Sequence, residues 1–200
     1  MDALTQGALG AACAQACFGR VLGRRAALWG ALGALAPDVD GAAALLLGAA
    51  DHLGRHRGLT HAFWFAPVAA PVVGYGVWRL HALRKRARGA VLGERRRPAA
   101  ALPDPGDLAV LGTWMALFFV AMLAHPLLDV FTAHGAAPLW PFSDRRFALH
   151  AVPAVDPGYT ALLAGAVLTS ITLSPRLRRI AASTALGLSA GYLAWRAAFG

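Results

Sequence analysis

Charge is scarce in this 200-residue sequence. Asp, Glu, Lys and Arg make up 14% of it, against about 25% in an average soluble domain. Hydrophobic residues make up 58%, and mean hydropathy is +0.52. So little charge argues against a soluble globule and points to an integral membrane protein, read as a single domain over residues 1–200. Cysteine is nearly missing too. Cys13 and Cys17 lie four apart in one apolar helical pattern, where free Cys packs as a small hydrophobe. Two such residues imply no disulfide framework and leave the redox compartment open. A cleavable signal is not expected: the start lacks a basic region, and the run at 34–36 is followed by Pro37. No internal repeat stands out.

What is present is a series of apolar runs separated by basic or proline-rich breaks. Residues 4–18, 26–36 and 41–50 are short and rich in small residues. The first two fall below the roughly 20 residues of a comfortable span, so short or half-inserted segments are expected there. Pro37 marks a break. Residues 62–83 form a long apolar segment, and the basic stretch at 84–97 reads as a solvated loop running on through 98–105. Residues 107–131 are the next span, 136–157 a proline-rich loop, and 158–173 and 180–199 two closing helices. The expected fold is therefore all-α, a polytopic transmembrane bundle of about five to six helices. A net charge of +9 can attract nucleic acid, but here the basic residues sit between apolar runs. The clusters at 20–25, 79–97 and 176–179 hold fourteen of the nineteen Lys and Arg residues. The positive-inside rule faces them to the cytoplasm, and no nucleic-acid partner is expected. Asp38, Asp40, His56, His61, His125, Asp129, His134, His150 and Asp156 then all fall at the extracytoplasmic end.

The chemistry concentrates at residues 124–135, AHPLLDVFTAHG. His125 and Asp129 are four apart and share one helical face. An imidazole and a carboxylate so placed can hold one divalent metal, and ionisable groups ending an apolar run are functional candidates. The rival reading is a helix-end His hydrogen-bonded to a nearby Asp. In PDVD at 37–40, Asp40 is the first choice as ligand and Asp38 the candidate for a supporting or second-metal role. His56 and His61 bracket a turn containing Gly58. Thr60 can cap the following helix, and Arg57 can pair with a phosphate or carboxylate. His52 and His81 read as loop or interfacial residues. His134, His150 and Asp156 are weaker candidates, and Trp140, Pro141 and Phe142 suit an interfacial aromatic lip.

Together, Asp2–Thr5, PDVD at 37–40, HRGLTH at 56–61, HPLLD at 125–129 and LWPFSDRRFAL at 139–149 resemble the YdjM-like, LexA-regulated family of membrane-bound metal-dependent hydrolases. The resemblance covers residues 1 to about 157. It implies a helical membrane protein with a divalent-metal site, distantly similar to zinc phospholipases C and fungal single-strand nucleases. It carries Asp40, His56, His61, His125 and Asp129 over as metal ligands. Two positions depart from the pattern: Gln6 stands where relatives usually have His, and His150 where they often have Asp.

The functional expectation is metal-dependent hydrolysis of a phosphoester, in a lipid or other amphipathic substrate, through a metal-activated water at the outer end of the bundle in the cell (inner) membrane. Zinc is the expected ion and manganese is compatible. Asp38 is assigned to proton transfer and Arg57 to substrate contact. Membrane lipids are the expected surroundings. The alternative is a non-catalytic multi-pass protein, a metal-ion carrier or lipid-associated scaffold. A carrier should show polar residues along its spans, and 62–75 and 108–123 have almost none.

Overall fold

The computed structural model describes residues 1–39, 59–92 and 104–199. Six α-helices lie among them: α1 (Ala3–Leu22), α2 (Arg25–Leu35), α3 (Phe65–Leu92), α4 (Leu111–Val130), α5 (Pro157–Thr172) and α6 (Pro175–Phe199). Short 3-10 turns, Ala36–Asp38 and Leu108–Val110, follow α2 and precede α4. Two isolated bridges, Thr132 with Val152 and Ala136 with Phe147, are the β pairing among the described residues. The protein is all-α, as expected. The apolar run at 41–50 lies outside the described residues.

Small residues build the first hairpin. Asp2 caps α1 by accepting the Thr5 amide at 2.9 Å, and Gly23 ends the helix at φ 62°. Gly10 and Ala14 of α1 then meet Gly30 and Ala34 of α2. A Cβ on either glycine would stand 2.4 Å from the other's carbonyl oxygen, so only glycine permits this approach. α1 also touches α4, α5 and α6. α4 packs on α1, α2 and α3. Its Trp114, Leu117, Phe118, Ala121, Met122, His125 and Leu128 are all buried. They recur at three- and four-residue spacing, one stripe of an α-helix. The lower core joins Trp114, Phe118 and Met122 to Ala14, Ala26, Ala70 and Val77. A second cluster joins Leu128 to Ala8, Ala12, Tyr159, Leu163 and Leu193.

Two expectations change. The basic stretch after residue 83 is helical as far as Leu92, not loop from 84. Leu, Arg, Lys and Ala are strong helix formers, so the helix continues into solvent with its charges outward. The basic residues 176–179 likewise form the first turn of α6 rather than a break before it. Pro175 opens that helix, where a missing N–H costs nothing. Among the described residues, one helical stretch, Leu108–Val130, is long and apolar enough to cross a membrane, with mean hydropathy 1.9; Pro157–Thr169 is a shorter apolar helix.

The helices alternate in direction and so sort the chemistry by end. α1 begins beside Asp2 and Gln6 and ends at Arg20; α2 begins at Arg25 and ends before Asp38. α3 starts just after His61 and carries its basic residues toward its far end. α4 ends with His125 and Asp129. Arg25, Arg84, Lys85 and Arg88 line one cavity, and Arg20, Arg24, Arg25, Arg176, Arg178 and Arg179 line its neighbour. Asp38, His61, His125 and Asp129 gather at one end, and two arginine-lined cavities lie at the other.

Candidate metal centre

Four side chains converge: one from the turn after α2, one from the turn before α3 and two from the end of α4. The 3-10 turn at Ala36–Asp38, with Pro37 in its first turn, swings Asp38 back over the end of α2. His61 sits in the turn before α3. The Phe63 amide fixes that turn by donating to the Pro138 carbonyl at 2.9 Å. His125 and Asp129 share one face of α4, both buried. Asp38, His61 and His125 offer donor atoms that all lie within 4.8 Å of one another.

The distances decide what kind of cluster this is. His125 Nε2 lies 3.2 Å from His61 Nε2. Asp38 Oδ1 stands 3.4 Å from His61 Nε2 and 3.6 Å from His125 Nε2. Asp129 Oδ2 stands 3.7 and 3.5 Å from the same two nitrogens. These carboxylate contacts exceed the roughly 2.7–3.2 Å of a normal N–H···O bond. Asp38, His61 and His125 come close to the spacing of three donors around one ion, since donors about 2.0–2.2 Å from a centre sit roughly 3.3–3.6 Å apart. A hydrogen-bonded His–Asp pair would pull one contact short instead. Two imidazoles and the Asp38 carboxylate, with Asp129 beside them, are donors of the kind that hold a divalent ion.

Neighbouring groups aim these donors. His125 Nδ1 donates to the Ala34 carbonyl at 2.6 Å, since a carbonyl can only accept. In the neutral ring, Nε2 then presents its lone pair to the cluster. Two such lone pairs 3.2 Å apart repel unless a proton or cation lies between them. His61 Nδ1 is 3.1 Å from the Thr60 hydroxyl, so Thr60 steadies the imidazole rather than capping a helix. Asp129 Oδ1 accepts from the Gln6 amide at 3.0 Å and from the Met1 ammonium. Gln6 Oε1 is buried and finds no hydrogen-bond partner among the described residues. His61, His125 and Asp129 are each 1% exposed, whereas the Asp38 side chain is 40% exposed and forms the open edge. Burial pushes the Asp38 carboxyl up, but its contacts with His61 and His125 outweigh this and hold it below the usual range.

The expected residues thus divide. His61, His125 and Asp129 come together. Asp38, assigned to proton transfer from the sequence, takes up donor spacing beside them. Asp40, His56 and Arg57 lie outside the described residues, as does His52. His134 and His150 are exposed, and the His150 ring meets the Ala148 carbonyl at 3.2 Å. Asp156 caps α5. His81 stacks on Trp114 at 5.1 Å between ring centroids, away from the centre. Phe142 is exposed and meets Trp64 edge-on, 5.8 Å between centroids. Sequence reasoning did not find the Ala34 carbonyl or the Met1 ammonium. Backbone groups carry no residue signature, so only the fold reveals them.

A family model described as YdjM inner membrane protein matches residues 1–200. The chain belongs to the YdjM inner membrane protein family. Comparison with curated proteins and with solved structures finds no match. Membership places this YdjM-family protein among inner membrane proteins. Within it, the residue at position 6 is a glutamine that braces Asp129.

Proposed function

We propose that this YdjM-family protein is a multi-pass inner-membrane hydrolase, one domain over residues 1–200, that cleaves a phosphoester with a divalent metal. The observation that carries the reading is the spacing of Asp38, His61, His125 and Asp129, with 3.2–3.7 Å between imidazole nitrogens and their neighbours. Those four residues would hold the ion, and Asp40 and His56 are further candidates. A bound divalent ion supplies Lewis acidity for a phosphoryl oxygen and lowers the pKa of water. The chain's own residues do the rest. Ala34 and Thr60 fix the two rings, and Gln6 holds the Asp129 carboxylate in register. Asp38, at the open edge, is the carboxylate an entering substrate meets, and its low proton affinity keeps it ionised and suits it to ligation. Arg57 would pair with the phosphate.

Exposed apolar side chains favour a polytopic bundle. Val68 and Val72 on α3, Leu127 on α4, Leu168 on α5 and Leu188 on α6 all face outward, as lipid-facing residues must. The positive-inside rule then puts the arginine-rich end in the cytoplasm and the metal centre outside, where phospholipid headgroups are at hand. A phospholipid or other amphipathic phosphoester is the proposed substrate, and zinc or manganese the ion.

The test is hydrolysis by the detergent-purified full chain of bis(p-nitrophenyl) phosphate and of phospholipid vesicles, before and after chelation. Activity should vanish with chelator and return on adding zinc or manganese to the wild type, but not to His61→Ala. Metal binding by the wild type with no hydrolysis of either substrate would favour the non-catalytic carrier.

A further inference from the structure

At the end of the bundle opposite the metal centre, the α1–α2 turn meets the start of α6 around a groove of about 880 Å³. Gln6 and Arg20 on α1 are fourteen residues apart, so some 20 Å of helix separates the two places. Six arginines line the groove: Arg20, Arg24, Arg25, Arg176, Arg178 and Arg179. Among the described residues no carboxylate lines it. Like charges at this density repel. The N-terminus of α6 opens here at Pro175 and adds its own partial positive charge.

Arg178 shows what is missing. It is 5% exposed, although arginine is seldom buried without a partner. One terminal nitrogen donates to the Leu173 carbonyl at 3.3 Å. Its Nε is buried and finds no hydrogen-bond partner among the described residues. Arg24, of the same sign, acts on it from across the groove. Arg179 meanwhile donates from Nε to the Ala16 carbonyl at 3.3 Å, which ties α6 to α1 and holds the cleft together. A buried guanidinium with a free N–H, facing other guanidiniums at a helix N-terminus, is a site built for an oxyanion. Arginine's planar fork matches phosphate with paired hydrogen bonds, and helix N-termini bind phosphate through free amides and the dipole.

We propose that this groove binds the phosphate of an anionic phospholipid headgroup. In an inner membrane protein, basic clefts at helix ends lie at headgroup depth, where anionic lipid is concentrated. Leu22 adds one apolar side chain to the same lining. The inference is independent of the hydrolase reading, because no residue of the metal centre takes part.

The test follows thermal unfolding of the full chain, purified in neutral detergent, as dispersed phosphatidylglycerol is added. Phosphatidylcholine and inorganic phosphate serve as the other two arms. Saturable stabilisation by phosphatidylglycerol alone is expected. Arg24→Gln and Arg176→Gln, both at exposed positions, should each weaken it roughly fivefold. Arg178→Gln should weaken it further, and Arg178→Lys should restore part of the loss. Arg84→Gln and Arg88→Gln remove the same charge outside this groove and should leave the affinity unchanged. Equal weakening by that control pair would reduce the effect to general surface charge and overturn the proposal. Inorganic phosphate matching phosphatidylglycerol would assign the groove to a free anion and overturn the lipid reading.

Discussion

His125 carries two jobs on one ring, since Nδ1 is spent on the Ala34 carbonyl while Nε2 faces His61 and both carboxylates. Replacing it therefore removes a donor and releases the end of α2. The exposed His134 and His150 do neither. His134→Ala and His150→Ala should leave metal affinity within a few-fold of wild type, whereas His61→Ala and His125→Ala should abolish it. Equilibrium titration with zinc separates these outcomes, and equal losses at all four positions would bring the exposed pair into the centre. Gln6 acts through Asp129. Loss of such a bracing partner typically costs about 10–100-fold in metal affinity, so Gln6→Ala should fall between the two groups. At this scale the sequence was partly legible. The four-residue spacing of His125 and Asp129 was enough to place both on one face. The donor position of Asp38 was not legible, because it depends on how the 3-10 turn at Ala36–Asp38 rotates the chain.

Among the elements, the α1–α2 hairpin depends on glycine at its closest approach. Gly10→Ala would press a methyl group into the Gly30 carbonyl and Ala34 Cβ, both 2.4 Å from the added atom. Overpacking of this kind costs about 1–3 kcal/mol, and because the hairpin carries Asp38, metal affinity should fall with stability. Thermal unfolding with and without zinc measures both. Asp156 links two other elements: it accepts the Tyr159 amide at 3.0 Å as the cap of α5 and the Tyr192 hydroxyl of α6 at 2.6 Å. Burial pushes this carboxyl up, but the Tyr159 amide and Tyr192 hydroxyl outweigh it and hold it below the usual range. A depressed carboxyl stabilises the fold at pH values above its ordinary range, and that stabilisation is lost as pH falls through the folded value. Asn is also a good cap. Asp156→Asn should therefore keep most of the stability at neutral pH while flattening the acid side of the stability–pH curve. An unchanged acid slope would contradict this linkage. The helices themselves were visible as apolar runs, but their ends were not. Arg84 to Leu92 reads as loop by charge and folds as helix by propensity.

Over the whole molecule, alternating helices put the metal centre at one end and the arginine-lined cavities at the other, a polarity readable in the sequence because fourteen basic residues fall in three clusters. The number of crossings was less legible, since among the described residues only Leu108–Val130 is both long and apolar enough to span, and α5 is apolar but short. If charge orients the bundle, a reporter fused after Arg88 should behave as cytoplasmic and one after Asp144 as extracytoplasmic. Both on one side would break the link between charge and orientation. The metal centre is the claim on which the functional reading rests, and elemental analysis of the detergent-purified full chain tests it most directly. Wild type, His134→Ala and His150→Ala should carry a divalent transition metal in constant ratio to protein. His61→Ala and His125→Ala, still membrane-inserted, should carry none. Equal metal content in all five proteins, or none in the wild type after dialysis against zinc and manganese, would contradict it.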